Sequence, residues 1–257
     1  MLISVVTAAF RPEPEHLAEA YQSLLGQTLP SGWEWEWLVQ GDGEDRLNLP
    51  GGALADERVR VSYAPHGGPG TARNLALERS VGTLIRNLDS DDVLTGTTLA
   101  DSITVLEERP EIGFTTCKAL DLMPDGSLVS YDNDPVASYL TRGSIYEMWR
   151  MRKFSLPVHP ATICIRRDLL FAVGGWMALP YSEDTGMLFT ANMFSAGWFI
   201  PCVGLHYRKR PGQLSALRKL HTPEARTARA HVIQERILAL QGQLEKLGIR
   251  HLSEEVL

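Results

Sequence analysis

The sequence predicts an α/β protein built on a mostly parallel central sheet. Short runs with a period of two recur through residues 1–110, and each is followed by a segment whose apolar residues step by three and four. Strands spaced by helices in this way pair in parallel. The length of 257 residues, with 44% hydrophobic and 22% charged residues, suits one large soluble domain with a short appendage.

The elements follow in order. Leu2–Val6 is a short apolar strand. Leu17, Ala20, Tyr21, Leu24 and Leu25 form one helix face, with Glu13 and Glu15 at the end the helix dipole favours for acids. Trp33, Trp35, Trp37 and Val39 give a second strand of period two, and Val59, Val61 and Tyr63 a third. A helix opens near Thr71. Thr83–Leu88 is a fourth strand, and Leu99, Ile103 and Leu106 mark a helix that stops at Pro110. Beyond it the order changes. Residues 112–123 read as a strand, Pro124-Asp125-Gly126 as a turn, Ser144–Arg152 as a helix and Thr162–Arg166 as a strand. A short helix ends at Gly174-Gly175; a helix then runs from about Ser182, and a strand lies near Trp198–Val203. No repeat or low-complexity segment is evident.

The tail has its own composition. From Arg208 to Arg229 there are seven basic residues and one acidic residue, Glu224. Ile233, Ile237, Leu240, Leu244 and Leu247 then step by four and three, a seam of about two heptads. It can pack on its own domain or form a homodimer contact. The expected division is a catalytic domain over residues 1–210, with a donor half at 1–110 and an acceptor half at 111–210, then a basic loop and C-terminal helix over 211–257.

Composition removes several classes. With 25 Lys and Arg against 31 Asp and Glu, the net charge of −6 disfavours general coating of nucleic acid. Cys117, Cys164 and Cys202 form no CxxC pair, so neither a zinc knuckle nor a disulfide framework is indicated, and a reducing, cytoplasmic setting fits. The N-terminus lacks the basic and long apolar regions of a signal peptide. Residues 185–207 carry no Asp, Glu, Lys or Arg, but Asn192, Gly197, Pro201 and His206 interrupt them; a buried helix followed by a strand is expected, not a membrane span. The basic tail offers peripheral contact with an anionic membrane surface.

Three stretches carry chemistry. Leu88-Asp89-Ser90-Asp91-Asp92 places three carboxylates directly after an apolar strand, where ligands bind in an open α/β sheet. Like charges this close call for a cation, and oxygen ligands suit Mg²⁺ or Mn²⁺; a solvated turn with Asp92 as a helix cap is the alternative. Gly41-Asp42-Gly43 follows the Trp-rich strand, and its carboxylate can accept from a base N–H, although a plain turn fits as well. His66-Gly67-Gly68-Pro69-Gly70-Thr71-Ala72-Arg73-Asn74 is a glycine-rich entry to a helix that can present N–H groups to phosphate. It is neither a P-loop nor a dinucleotide fingerprint. Arg73 can pair with a diphosphate or with an aspartate of the site.

Together the stretches ISVVTAAFRP, SLLGQT, WLVQGDGE, GTARNLAL, VGTLIRNLDSDDVL, VGGW, SED and HYRK resemble the family 2 glycosyltransferases of GT-A fold, over about Leu2 to Arg210. The resemblance implies a nucleotide-diphosphate sugar donor, of uridine or thymidine type, bound by Thr7, Ala9, Arg11, Asp42, Arg73, Asp89, Ser90, Arg208 and Lys209, with Arg210 beside them over the diphosphate. It implies Mn²⁺ or Mg²⁺ on Asp89 and Asp91, with His206 as a third ligand. It further implies Asp184, with Glu183, as the catalytic base, and His159 and Trp176 on the acceptor side. Three departures stand out: Gly41 where a second aspartate is common, Arg11 in place of asparagine, and Thr-Gly-Met after Asp184.

The implied reaction is an inverting sugar transfer to the hydroxyl of a small molecule, a glycan or a lipid-linked acceptor. Two rivals remain at this stage. A nucleotidyltransferase would carry a glycine-rich basic loop after the first strand, where Thr7–Arg11 has no glycine. A binding protein without turnover would retain the donor site alone.

Overall fold

The computed structural model describes residues 1–130, 134–135, 138–217, 220 and 222–248. The chain runs β1 (Leu2–Ala9), α1 (Pro14–Leu25), β2 (Glu34–Asp42), α2 (Gly51–Ala55), β3 (Val59–Ala64), α3 (Pro69–Glu78), β4 (Leu84–Asn87), β5 (Val93–Leu94) and α4 (Thr98–Glu108). It continues with β6 (Ile112–Leu122), β7 (Leu128–Ser130), β8 (Tyr139–Leu140), α5 (Ser144–Met151), a 3-10 turn at Pro160–Thr162, β9 (Cys164–Arg166), α6 (Arg167–Ala172), α7 (Glu183–Phe194), β10 (Ala196–Arg208) and α8 (Pro223–Lys246).

One sheet in the order β3-β2-β1-β4-β9-β6-β10-β5 spans both expected halves. The β3-β2-β1-β4 portion is parallel throughout, as its helical crossovers require. The rest is mixed: β9 runs antiparallel to both β4 and β6, β10 is parallel to β6, and the short β5, β7 and β8 pair antiparallel at the edges. The sheet is thus mostly parallel, as the sequence suggests, and its antiparallel contacts are confined to the short strands β5, β7, β8 and β9. The turn at Pro124-Asp125-Gly126 joins β6 to β7, with Gly126 at φ 82°.

Both faces of the sheet are covered. Leu17, Tyr21 and Leu24 of α1 and Leu99, Ile103 and Leu106 of α4 pack on one side with Trp35 and Trp37. On the other side Ala76 and Leu77 of α3, Met187–Phe189 of α7, and Ile233 and Ile237 of α8 pack around Leu38, Ile85 and Phe114. This double cover explains why Glu36 and Gln40 of β2 are buried despite their polarity. Glu36 is held inside by Ser4, Arg60 and the Val81 N–H.

Of the heptad seam, Ile233, Ile237 and Leu244 close on the chain's own core, Leu240 is half-buried and Leu247 is exposed. The seam thus serves domain packing, and α8 is fastened at its start by the Thr222 hydroxyl accepting from the Ala225 N–H. The uncharged stretch 185–207 forms the buried α7 and most of β10. Among the described residues no helix is long and apolar enough to cross a membrane.

Candidate active site

The C-terminal ends of the parallel strands open into one cleft of about 1240 Å³, the position where an open α/β sheet binds ligands. Ala8, Phe10 and Arg11 enter it from the end of β1, Asp42 from β2, His66–Pro69 from the loop before α3, and Asp89, Ser90 and Asp91 from the loop after β4. Across from them stand His159, Glu183, Asp184, Tyr207, Lys209 and Arg210. Two non-glycine residues on the rim, Arg11 (φ 44°) and Ser182 (φ 68°), adopt the left-handed region. Such residues gather where function constrains the backbone.

Arg73 is the hub. It projects from the second turn of α3 into the floor of the cleft, almost fully buried. One arm of its guanidinium donates to Glu183 Oε1 and the other, at 2.6 Å, to Asp89 Oδ1. Burial works against its charge, but Asp89, Glu183 and Asp184 hold it protonated. Gly70 permits this approach, because a Cβ there would meet the Met177 carbonyl oxygen at 2.6 Å.

The three carboxylates after β4 part company. Burial pushes the Asp89 carboxyl up, yet Arg73 and Asn87 outweigh it and bring the carboxyl below its ordinary value. Asp91 Oδ2 accepts from Arg210 Nε at 2.8 Å. Asp92 is fully buried and accepts from the Arg208 N–H at 2.9 Å, so it fastens β10 and does not cap a helix. Burial and the charges of Asp89 and Asp91 push its carboxyl well up. The two carboxylates that face the cleft form an all-oxygen pair suited to a hard divalent cation. Among the described residues no group of three His, Cys, Asp or Glu converges. Such a cation would therefore take only Asp89 and Asp91 from the protein and complete its shell with phosphate and water, the usual magnesium pattern.

Asp184 opens α7 beside this hub. Burial, then the Glu183 charge, push its carboxyl up to about 7, with Arg73 opposing. Its Oδ1 accepts from the Thr185 N–H at 2.6 Å. His159 lies against the Tyr207 ring, with centroids 4.6 Å apart, and burial pushes its imidazole down to about 4. Lys209 Nζ lies 3.2 Å from Asp121 and 4.6 Å from the Tyr207 ring centroid.

Asp42 is more deeply engaged than the sequence indicates. Its Oδ1 accepts from the Gly67 N–H at 2.7 Å, and its Oδ2 from the Gly68 N–H at 3.1 Å and from His66 Nδ1 at 2.9 Å. The loop N–H groups expected to face phosphate are thus directed at this carboxylate.

Five expected site residues lie off the cleft lining. Thr7 is buried, donating to the Leu88 carbonyl and accepting from Trp37 Nε1, so it ties β1 to the end of β4. Ala9 belongs to the core, and its neighbours Ala8 and Phe10 face the cleft instead. Arg208 turns to the Asp91 carbonyl and to Glu19. His206 sits between Leu205 and Tyr207 on β10, and of the three only Tyr207 lines the cleft. Trp176 is packed in the core, with its backbone held by Asn74. Phe10, His66 and Tyr207 line the cleft although sequence reasoning assigns none of them a role, His66 standing in it only as the start of the glycine-rich stretch. Their only signal is position, directly after β1, after β3 and inside the final strand.

The Glycosyl transferase family 2 model matches residues 4–171. TuaG of Bacillus subtilis (strain 168), provisionally assigned as a teichuronic acid biosynthesis glycosyltransferase, is 31% identical over 112 residues, 42% of this chain and 43% of TuaG. The amylovoran biosynthesis glycosyltransferase AmsE of Erwinia amylovora is 23% identical over 190 residues, 71% of this chain and 66% of AmsE. Among solved structures, S. aureus TarS 1-349 in complex with UDP-GlcNAc superposes with a TM-score of 0.64 at 22% identity, over 84% of this chain and 61% of that one. In each case the match covers less than two thirds of the relative's own length.

Proposed function

Because the chain belongs to glycosyl transferase family 2, we propose that it transfers a sugar, with inversion, from a nucleotide-diphosphate donor to an acceptor hydroxyl. One observation carries the reading: a single buried arginine, Arg73, joins the strand-end aspartate Asp89 to Glu183, next to a carboxyl pushed up to about 7. A donor grip and a base are thereby fixed to one another. The fold match to a protein crystallised with UDP-GlcNAc supports a nucleotide-sugar donor.

In this reading Asp184 is the general base. It takes the acceptor proton as the hydroxyl oxygen attacks the anomeric carbon and the bond to the diphosphate breaks. A carboxyl group near 7 is matched to that task at neutral pH. Glu183 keeps Arg73 in place and, by its charge, helps raise Asp184. Asp89 and Asp91 would hold Mn²⁺ or Mg²⁺, which when bound neutralises charge growing on the leaving diphosphate. Lys209 and Arg210 add cationic donors on the same side, Arg210 being the partner of Asp91 when no cation is bound there. The cleft is also lined by Leu156, Pro157, Leu214 and Leu217, which favours an acceptor with an apolar portion.

Incubation with a panel of nucleoside-diphosphate sugars and Mn²⁺ tests this reading. Turnover of a donor is expected, and Asp184→Asn should keep donor binding while losing transfer. Full turnover by Asp184→Asn would remove it as the base.

A further inference from the structure

The carboxylate of Asp42, expected from the sequence to accept from a base N–H, is turned into the protein. Three donors already hold it, and its side chain is only 4% exposed. His66 is arranged the opposite way. Its side chain is 57% exposed, it lines the cleft, and its ring lies 4.4 Å from that of Phe10 at an interplanar angle of 31°. An ionised carboxylate only accepts hydrogen bonds, so His66 Nδ1 must carry the proton it shares with Asp42. In the neutral imidazole this leaves the Nε2 lone pair directed away from Asp42, as an acceptor.

We propose that His66, oriented by Asp42, is the residue that reads the nucleobase of the donor. Its Nε2 accepts from an imide N–H, the N3–H of uracil or thymine, while Phe10 beside it supplies a face for the base to lie against. Cytosine presents a lone pair at N3, which opposes the Nε2 lone pair, so the arrangement selects uridine or thymidine diphosphate over cytidine diphosphate. Asp42 fixes the tautomer and makes no direct contact with the base. The inference rests on the reading of the cleft as a nucleotide-sugar site.

The test is calorimetric titration of the whole chain, in Mn²⁺, with UDP, N3-methyl-UDP and CDP. Wild-type protein should bind UDP roughly tenfold tighter than either analogue, about the net worth of one hydrogen bond replaced by a methyl clash or by opposed lone pairs. His66→Phe keeps an aromatic face at an exposed position. It should bind all three ligands within about threefold of one another, because the coupling between the ring nitrogen and the N3–H is gone. A methylation penalty of wild-type size in His66→Phe would overturn the assignment and return base reading to Asp42. Wild-type protein that binds none of the three, with no turnover of any donor, sinks the functional reading itself and the inference with it.

Discussion

Arg73 and Glu183, 110 positions apart in the sequence, meet in a buried ion pair whose other arm ends on Asp89. This contact locks the first turns of α3 to the start of α7 and to the end of β4. It lies deep in the cleft, so its loss is felt in stability as well as in binding. Arg73→Met leaves two carboxylates without their shared counter-charge and should cost about 3–5 kcal/mol in urea unfolding. Glu183→Gln should cost less, since Arg73 keeps Asp89.

Asp184 gives a signed pH dependence. Its carboxyl lies at about 7 in the folded chain against an ordinary value of 3.8. Between those values the folded form holds a proton that the unfolded form has lost. Stability from this group is therefore intact below 3.8 and declines as pH rises to about 7. Asp184→Asn should remove that decline, so the difference in unfolding free energy between variant and wild type should shift toward the variant from pH 4 to pH 8, the interval bracketing about these two values. Activity should run the other way, rising as pH passes about 7 and the base ionises. An activity profile flat across that range would contradict the assigned role.

Ile237 tests the seam of α8. It is fully buried against the core that contains Met187, Leu188 and Phe189, whereas Leu247 is 74% exposed. Ile237→Ala should cost about 2–5 kcal/mol, and Leu247→Ala under about 0.5 kcal/mol. The unfolding midpoint should not depend on protein concentration, as it would if the seam were a dimer contact.

The parallel half and the acidic corner were legible in the sequence, because both depend on local order. A run such as Ile85-Arg86-Asn87-Leu88 followed by Asp89 announces a strand end whatever lies around it. Residues that depend on side-chain parity in a long strand were not. His206 and Arg208 were expected in the site, yet Tyr207 reaches the cleft. The register of β10 slips by two residues between Ile200 and Val203, around Pro201, which has no N–H for the ladder, and by one more between Val203 and Leu205, and a slip of one residue exchanges the faces. The Asp42–His66 pair was hidden for another reason. It needs the left-handed turn at Gly68 (φ 87°), which folds the loop back so that its N–H groups point at the carboxylate. The pairing of Arg210 with Asp91 likewise follows from β10 lying beside β5, a strand of two residues with no pattern of its own.

The most direct measurement is titration of UDP into the chain with and without Mn²⁺, for wild type and for Asp91→Ala. The account predicts saturable binding to wild type that requires the metal and is lost in the variant. Binding that ignores both the metal and the loss of Asp91, or no binding under any condition, would contradict it.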